Sequence, residues 1–108
     1  MNTKDWGPKA WYFTHTIMAN APKKLNNEQQ KHYKEFFLSM KDILPCKYCK
    51  ESYKQFIIIY PIDNYLHSGY LLQWWWYNIH NLVNQKLNQK GIPFEKVIEK
   101  YDNIKAKK

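Results

Sequence analysis

The spacing of apolar side chains along the chain predicts helices rather than strands. No segment keeps the alternation of apolar and polar residues that marks a half-buried strand. The clearest helical segment follows Asn26 and Asn27, either of which can cap a helix. Its apolar stripe, at helical spacing, consists of Tyr33, Phe36, Phe37, Met40, Ile43 and Leu44. The pattern therefore indicates an all-α chain with its second helix in this segment.

Prolines set the limits of the first three helices. The first should begin at Gly7-Pro8, because a proline in the first turn loses no helical hydrogen bond, and it should end near Asn20. Pro45 ends the second helix and opens the third, which Pro61 ends. We therefore expect three helices before Pro61, joined by short connections.

The fourth predicted helix carries an apolar and a polar stripe. It should run from about Asn64 to Asn88, with Asp63 or Asn64 as its N-cap. The apolar stripe, of ordinary core type, is Leu72, Trp76, Ile79, Val83 and Leu87. About 100° further around the helix lies a polar stripe of Gln73, Tyr77, His80, Asn84 and Asn88. Buried amides and imidazoles need hydrogen-bond partners. One interpretation is that this stripe faces solvent or bonds to neighbouring backbone, and the other is that a polar ligand lies along it. The pattern leaves both interpretations open.

Length and composition predict one domain with an aromatic core. A chain of 108 residues is one domain at most, which we place at residues 1–108, with a core at about 6–101 and a basic tail at 102–108. After Gly91-Ile92-Pro93, the spacing of Phe94, Val97, Ile98 and Tyr101 suggests a short fifth helix, whose end the pattern does not fix. The aromatic content of 18% indicates a core of rings or one that wraps a planar ligand, and three glycines argue against a glycine-rich phosphate loop.

The net charge of +8 invites a nucleic-acid interpretation, but the residue types weaken it. All 17 basic residues are lysines, and they are spread along the chain. Arginine makes the bidentate contacts to guanine and phosphate, so its absence disfavours specific binding. We expect a solvated basic surface and no nucleic-acid partner. A small helical protein that binds nucleic acid through lysines and exposed aromatic residues stays open as an alternative.

Hydropathy predicts neither a membrane span nor a secretory signal. No stretch approaches the ~18 apolar residues that a spanning helix needs. The segment Met1 to Asp5 has no apolar region behind its charge. We therefore expect a cytoplasmic protein with no membrane partner. In a reducing compartment, a close pair of cysteines is more often catalytic or metal-bound than structural.

The candidate chemistry lies at Cys46 and Cys49, the only cysteines of the chain. Their C-x-x-C spacing should place both sulfurs on the buried face of the third helix, near its N-terminus, where the helix dipole favours a thiolate. The pair can form a disulfide or bind a metal. A thioredoxin-like fold would need a strand before the pair, whereas the preceding residues have helical period. Zinc would need His67 and His80 as further ligands, and this metal-binding scaffold stays open.

Three blocks of the sequence carry a resemblance to one enzyme family. Residues 6–15 read W-G-x-x-x-W-x-x-x-H, residues 45–49 read P-C-x-x-C, and residues 80–87 read H-N-x-V-N-x-x-L. In this order and at these separations, they resemble the FAD-linked sulfhydryl oxidases of the Erv/ALR type. The resemblance covers about residues 6–101, and the chain is similar in compactness to the small versions carried by large DNA viruses.

The resemblance implies a fold and a cofactor. Four helices would clasp the isoalloxazine of FAD, with a short fifth helix across the bundle. Trp11 and His15 would pack against the flavin, while His80 and Asn84 would hold the adenosine part. Lys90 would reach the phosphates, because Gln89 occupies the position of the usual family lysine. The full set of cofactor residues implied is Gly7, Trp11, His15, His80, Asn81, Val83, Asn84, Leu87, Lys90 and Tyr101; none is a metal ligand.

The resemblance also implies a reaction. A thiolate of a reduced dithiol protein, thioredoxin-like or another C-x-x-C protein, would attack Cys46, and Cys49 would be the sulfur nearest the flavin. Electrons would pass through FAD to oxygen and give hydrogen peroxide. Many relatives carry a second, distal cysteine pair, which this chain lacks. The partner's dithiol must therefore react directly with the active pair, and any homodimer must be non-covalent. A viral factory or virion would be a natural setting.

Overall fold

The computed structural model describes residues 3–104, which form helices joined by short turns. The helices are α1 (Gly7–Ala19), α2 (Asn27–Ile43), α3 (Lys47–Ile59), α4 (Gly69–Lys86) and α5 (Phe94–Asp102), with a 3₁₀ turn at Ile62–Tyr65 before α4. No strand occurs in this part of the chain, so the all-α prediction of four helices and a short fifth is confirmed. The predicted basic tail lies outside the described residues from Lys105 onward, as do Met1 and Asn2.

Helix α4 occupies the centre of the arrangement. It contacts α1, α3 and α5, while α2 packs on α3, and α5 lies against α1 as well. Within residues 3–104, no helix is both long and apolar enough to cross a membrane. The central position of α4 explains its mixed pattern, because different faces of one helix meet different neighbours.

The start of α2 follows the sequence prediction closely. Asn26 is the N-cap: its side-chain Oδ1 accepts a hydrogen bond from the backbone N–H of Gln29 at 2.8 Å. The Gln29 side chain in turn accepts from the backbone N–H of Asn26 at 2.9 Å. This capping box satisfies two backbone donors at the helix start. At the other end, Leu44 is extended, as the residue before a proline prefers.

The predicted start of α4 is wrong. Residues 62–65 form the 3₁₀ turn, and α4 begins at Gly69, where the Ser68 hydroxyl accepts from the Leu71 N–H at 3.1 Å. The N–H of Gly69 donates to the carbonyl of Pro22 at 2.9 Å, and a Cβ at this position would lie 2.7 Å from that oxygen. Only glycine allows this approach between α4 and the α1–α2 connection.

The C-terminal end of α4 also differs from the prediction by two residues. The helix ends at Lys86, and Asn88 adopts a φ of 54°, in the left-handed region. Asparagine tolerates this conformation better than most residues, and it often follows a helix end. Asn88 therefore leaves the predicted polar stripe, and Leu87, at the cap, is half exposed rather than core.

The core is built on rings, as the composition indicates. Trp75 and Trp76 are buried, and Trp76 makes an edge contact with Phe37 at a centroid distance of 4.9 Å. The Trp75 indole donates to the carbonyl of Tyr60 at 2.7 Å, and the Tyr53 hydroxyl donates to the carbonyl of Phe37 at 2.6 Å. These rings thus place their apolar bodies in the core while their polar atoms find partners.

Candidate active site

Cys46 and Cys49 form a disulfide at the start of α3, with their Cα atoms 5.2 Å apart. Cys46 is the N-cap of the helix, and its Sγ accepts a hydrogen bond from the backbone N–H of Cys49 at 3.0 Å. Both cysteines are half-buried, so the expectation that both would lie on the buried face of α3 is corrected: Cys46 precedes the helix. A thiolate formed at Cys46 would meet an N–H donor and the positive end of the helix dipole.

The disulfide lines a cavity of about 660 Å³ between the helices. This volume falls within the roughly 300–1,000 Å³ typical of sites for small molecules and cofactors. Besides both cysteines, the cavity is lined by five of the predicted cofactor residues, which are Gly7, Trp11, His80, Val83 and Leu87. The three sequence blocks therefore meet around one space next to the sulfur pair.

Two polar atoms at this cavity are buried without a partner among the described residues. They are the indole Nε1 of Trp6 and the hydroxyl of Ser52, and both residues line the cavity. A buried donor left unsatisfied costs about 1–3 kcal/mol. A ligand with polar atoms on an otherwise flat, apolar body would remove this cost.

A second, smaller pocket of about 160 Å³ holds the remaining predicted residues. It is lined by His15, Asn81, Asn84, Lys90 and Tyr101, and also by His80, which borders both spaces. The resemblance implies that His15 and Trp11 both meet the flavin; Trp11 lines the main cavity and His15 the second pocket, with their ring centroids 5.8 Å apart. Tyr77 also lines this pocket, and its hydroxyl anchors the following loop by donating to the carbonyl of Ile92 at 2.6 Å.

His80 connects the two spaces through ring contacts. Its imidazole stacks on the Trp11 ring at a centroid distance of 3.7 Å, with the planes 7° apart. Its Nδ1 lies 2.9 Å from Nε2 of His15, so one nitrogen donates and the other accepts. His15 in turn stacks on Tyr101 at 5.0 Å. Part of the polar stripe of α4 thus meets partners inside the protein instead of facing solvent.

Both histidines are neutral at pH 7. Burial lowers the pKa of His15 from 6.5 to about 3, with smaller effects from His80 and Lys100. Burial also lowers the pKa of His80 to about 4, again with a smaller effect from Lys100. A neutral imidazole pair can donate and accept hydrogen bonds without bringing charge into the site.

The sequence pattern does not reveal several residues of the site. Ser52 and the Trp6 N–H become notable only through their burial, and Lys100 lines the second pocket from α5. The Nζ of Lys86 lies 4.5 Å from the centre of the Tyr48 ring, although both residues sit at variable positions of the blocks. Nothing in the periodicity distinguishes these residues, because their roles depend on how helices meet.

The structure offers no cluster of metal ligands in the described part of the chain. No three side chains among His, Cys, Asp and Glu come together there as a metal site. Of the two histidines considered as zinc ligands, His67 is exposed and His80 is occupied with His15 and Trp11.

A helical bundle that keeps a cysteine pair at a helix N-terminus, beside a cofactor-sized cavity, defines a helical thiol–disulfide protein. The sequence model described as the Erv1/Alr family matches residues 8–102, nearly the whole chain. The chain therefore belongs to the Erv1/Alr family.

Individual relatives agree with this assignment. A probable FAD-linked sulfhydryl oxidase of Acanthamoeba polyphaga mimivirus is 32% identical over 100 residues, covering 92% of this chain and 70% of the relative. An FAD-linked sulfhydryl oxidase of African swine fever virus is 28% identical, over 92% of this chain and 78% of the relative. The chain spans only about half (53%) of ERV1 from Arabidopsis thaliana, at 27% identity over 95% of its own length.

The fold also has solved counterparts. The crystal structure of the FAD binding domain of Erv1 from Saccharomyces cerevisiae matches with a TM-score of 0.88, over 95% of this chain and 96% of that one. The sequence identity is 22%, so this likeness is evidence for the fold alone.

Proposed function

We propose that this protein is an FAD-dependent thiol oxidase that makes disulfide bonds in partner proteins. Electrons pass from a partner's dithiol through Cys46 and Cys49 to FAD, and then to oxygen, which becomes hydrogen peroxide. The observation that carries the proposal is the disulfide lining the same cavity as Trp11, His80 and Val83. The relatives named FAD-linked sulfhydryl oxidases support the same assignment.

The residues of the two pockets fit FAD. The main cavity offers the Trp11 ring and apolar side chains to a flat ring system, and the orphaned polar atoms of Trp6 and Ser52 to its hydrogen-bonding edge. Gly7, Trp11, Val83 and Leu87 would hold the isoalloxazine near the sulfurs. His15, Asn81, Asn84, Lys90 and Tyr101 would hold the adenosine and phosphate part, with His80 between the two. Bound there, FAD supplies two-electron acceptor chemistry and reactivity with oxygen.

The protein's own part is thiol–disulfide exchange. A partner thiolate attacks Sγ of Cys46, so the Cys46–Cys49 bond breaks, a mixed disulfide forms and Cys49 leaves as a thiolate. The partner's second thiolate then attacks its own sulfur in the mixed disulfide. The partner's disulfide forms, and Cys46 leaves as a thiolate, which the Cys49 N–H and the start of α3 stabilise. The cysteine pair now holds two electrons from the partner, and two protons have gone to solvent.

The visible absorption spectrum of the purified protein tests the proposal. We expect a flavin band that bleaches when dithiothreitol is added without air and returns when oxygen re-enters. A Cys46→Ser/Cys49→Ser double variant should keep the band but bleach far more slowly. A protein that stays colourless after refolding with FAD would contradict the proposal.

The setting of the enzyme belongs to the same proposal. We propose a single domain with its core at about residues 6–101, supported by the family match over 8–102. Both cysteines belong to the active pair, so the homodimer we propose is non-covalent, which sedimentation under reducing and oxidising conditions tests. The viral relatives support work in the cytoplasm of an infected cell or in a virion.

A further inference from the structure

The charged side chains around the main cavity are all positive. Lys4, Lys47 and Lys86 line it, and among residues 3–104 no Asp or Glu does. The acidic residues nearest the cysteines in sequence, Asp42 and Glu51, are exposed and do not line the cavity. The opening beside the disulfide therefore carries a positive field that the overall charge of +8 reinforces.

Two of these lysines line the cavity of the disulfide from different helices. Lys47 follows Cys46 directly and begins α3, while Lys86 ends α4. The Nζ of Lys86 is held over the ring of Tyr48, 4.5 Å from its centre, and lies 6.0 Å from that of Phe56. A cation–π contact of this kind holds the charge over the ring of Tyr48, the residue just before Cys49 in the chain. We call Lys47 and Lys86 the mouth lysines.

Tyr48 adds an apolar contact surface between the two charges. It lies between the two cysteines in sequence, and 60% of its surface is exposed. This exposed ring, with the Lys86 ammonium group over it, thus lies between the two cysteines in the chain. This combination suits a segment that carries carboxylates close to its reacting thiol.

We propose that the mouth lysines and Tyr48 form a docking surface for acidic dithiol partners, with Asp or Glu beside the partner's cysteine pair. This inference rests on the proposed function, since it names the class of thiol substrate. Opposite charge speeds the encounter and favours the correct orientation. Carboxylates near the partner's thiol raise its pKa and so lower the share of the reacting thiolate. The positive charge of the mouth lysines offsets this rise when the partner docks.

The test uses two reduced peptides that share one C-x-x-C and differ only in flanking Glu or Lys residues. Each is oxidised by the flavin-loaded protein, and kcat/KM is divided by the rate with uncharged dithiothreitol in the same preparation. We expect the acidic peptide to be favoured by at least about tenfold at low salt, and less at high salt. Equal values for the two peptides would overturn the proposal.

Matched variants separate the docking surface from the charge of the whole chain. Lys47→Gln/Lys86→Gln removes two charges at the mouth, and Lys31→Gln/Lys96→Gln removes two exposed charges that do not line the cavity. The ratio between the peptides should fall towards one in the mouth variant and persist in the control. An equal fall in both variants would show a general charge effect and overturn the proposal.

Binding of peptides that cannot react keeps this inference separate from the proposed function. Both cysteines of each peptide are replaced by serine, and the dissociation constant is measured by fluorescence anisotropy. Preference for the acidic version, lost only in the mouth variant, supports docking even if dithiothreitol is not oxidised, a result that would count against the oxidase alone. Dithiothreitol oxidation without any preference in binding or turnover would leave the oxidase standing and remove the docking surface.

Discussion

The centre of the bundle and the wall of the cavity treat the same chemical groups differently. At the centre, the indole N–H groups of Trp75 and Trp76 donate to the Tyr60 carbonyl and to the Thr14 hydroxyl, the second at 2.9 Å. At the cavity wall, the indole N–H of Trp6 is buried without a partner among the described residues. The indole N–H groups of Trp75 and Trp76 thus have partners in the fold, whereas that of Trp6 has none in the described structure.

The hydroxyl groups show the same contrast. Thr14 accepts from Trp76 and donates to the Ala10 carbonyl at 2.8 Å, whereas the buried hydroxyl of Ser52 has no partner in the described structure. Both residues line the main cavity, so distance from the site does not explain the difference. Thr14 has one partner on its own helix and one on α4, and Ser52 has neither in the described structure. Both unpaired polar atoms belong to residues that line this cavity.

A substitution at Cys49 should give the largest loss of activity while the protein still binds its flavin. Cys49→Ser keeps the size of the side chain and the Cys46 cap but removes one sulfur of the pair. We expect the flavin to remain bound while oxygen consumption with dithiothreitol falls by on the order of 10³ or more. An oxygen electrode measures this, with the exposed Ser39→Ala as a matched control. Turnover that survives in Cys49→Ser would contradict the role of this sulfur.

The histidine pair at the second pocket should make stability depend on pH. The folded pKa values of about 3 for His15 and about 4 for His80 lie below the unfolded value of 6.5, so the unfolded chain binds more protons in acid. The stability that the neutral pair contributes is complete above pH 6.5 and is lost between pH 6.5 and the folded pKa values. Each histidine lowers the free energy of unfolding by up to about 1.4 kcal/mol per pH unit in that window.

Urea unfolding of the flavin-free protein between pH 7 and pH 4.5 measures this slope before most carboxylates titrate. His15→Asn and His80→Asn should each reduce the slope, while His67→Asn, at an exposed site, should leave it as in the unaltered chain. A free energy of unfolding that does not change across the window would show that the pair is not held neutral.

Removal of the hydrogen bond between Trp76 and Thr14 should lower the free energy of unfolding. Thr14→Val conserves shape but leaves the Trp76 N–H without its acceptor, so we expect a loss of about 1–3 kcal/mol of stability. Thr16→Val is the matched control, since the Thr16 hydroxyl donates only to the exposed Tyr12 carbonyl. Unfolding in urea compares the two variants. Equal stability of both would mean that the Trp76 hydrogen bond adds nothing.

A substitution at Ser52 should change the stability of the flavin-free protein in the opposite direction and by the smallest amount. Ser52→Ala removes a buried hydroxyl that has no partner, so the flavin-free protein should keep its stability or gain up to about 1 kcal/mol. The same change should weaken FAD binding, because the ligand loses a hydrogen bond. Thermal unfolding with and without FAD measures both effects. A loss of stability in the flavin-free protein would show that Ser52 already has a partner.

The sequence predicts four of the five helix positions because prolines and apolar periodicity are local signals. It misplaces the start of α4 because that start depends on a distant contact: Gly69 approaches the carbonyl of Pro22 so closely that no other residue fits. Ser68, the actual cap, does not stand out in sequence, since Asp63 and Asn64 are equally good caps.

Some residues of the candidate site are likewise recognisable in the sequence, and others are not. The motif residues are recognisable in the chain, and the structure gathers them around two adjoining pockets. The orphaned Ser52 hydroxyl and the Lys86–Tyr48 contact are not recognisable, because each depends on which helices meet and how deeply they bury one another. Sequence identifies the residues that chemistry requires, whereas packing determines which of their neighbours take part.

One sulfur has two tasks at the start of α3. Sγ of Cys46 receives the N–H of Cys49, and it is also the atom that exchanges its bond with a partner. The thiolate that Cys46 becomes on reduction is a stronger acceptor for this amide than a disulfide sulfur, so we expect the first turn of the helix to open locally less often in the reduced protein. Protection of this amide from hydrogen exchange therefore follows the redox state, so a single backbone position reports the stage that the enzyme has reached in its cycle.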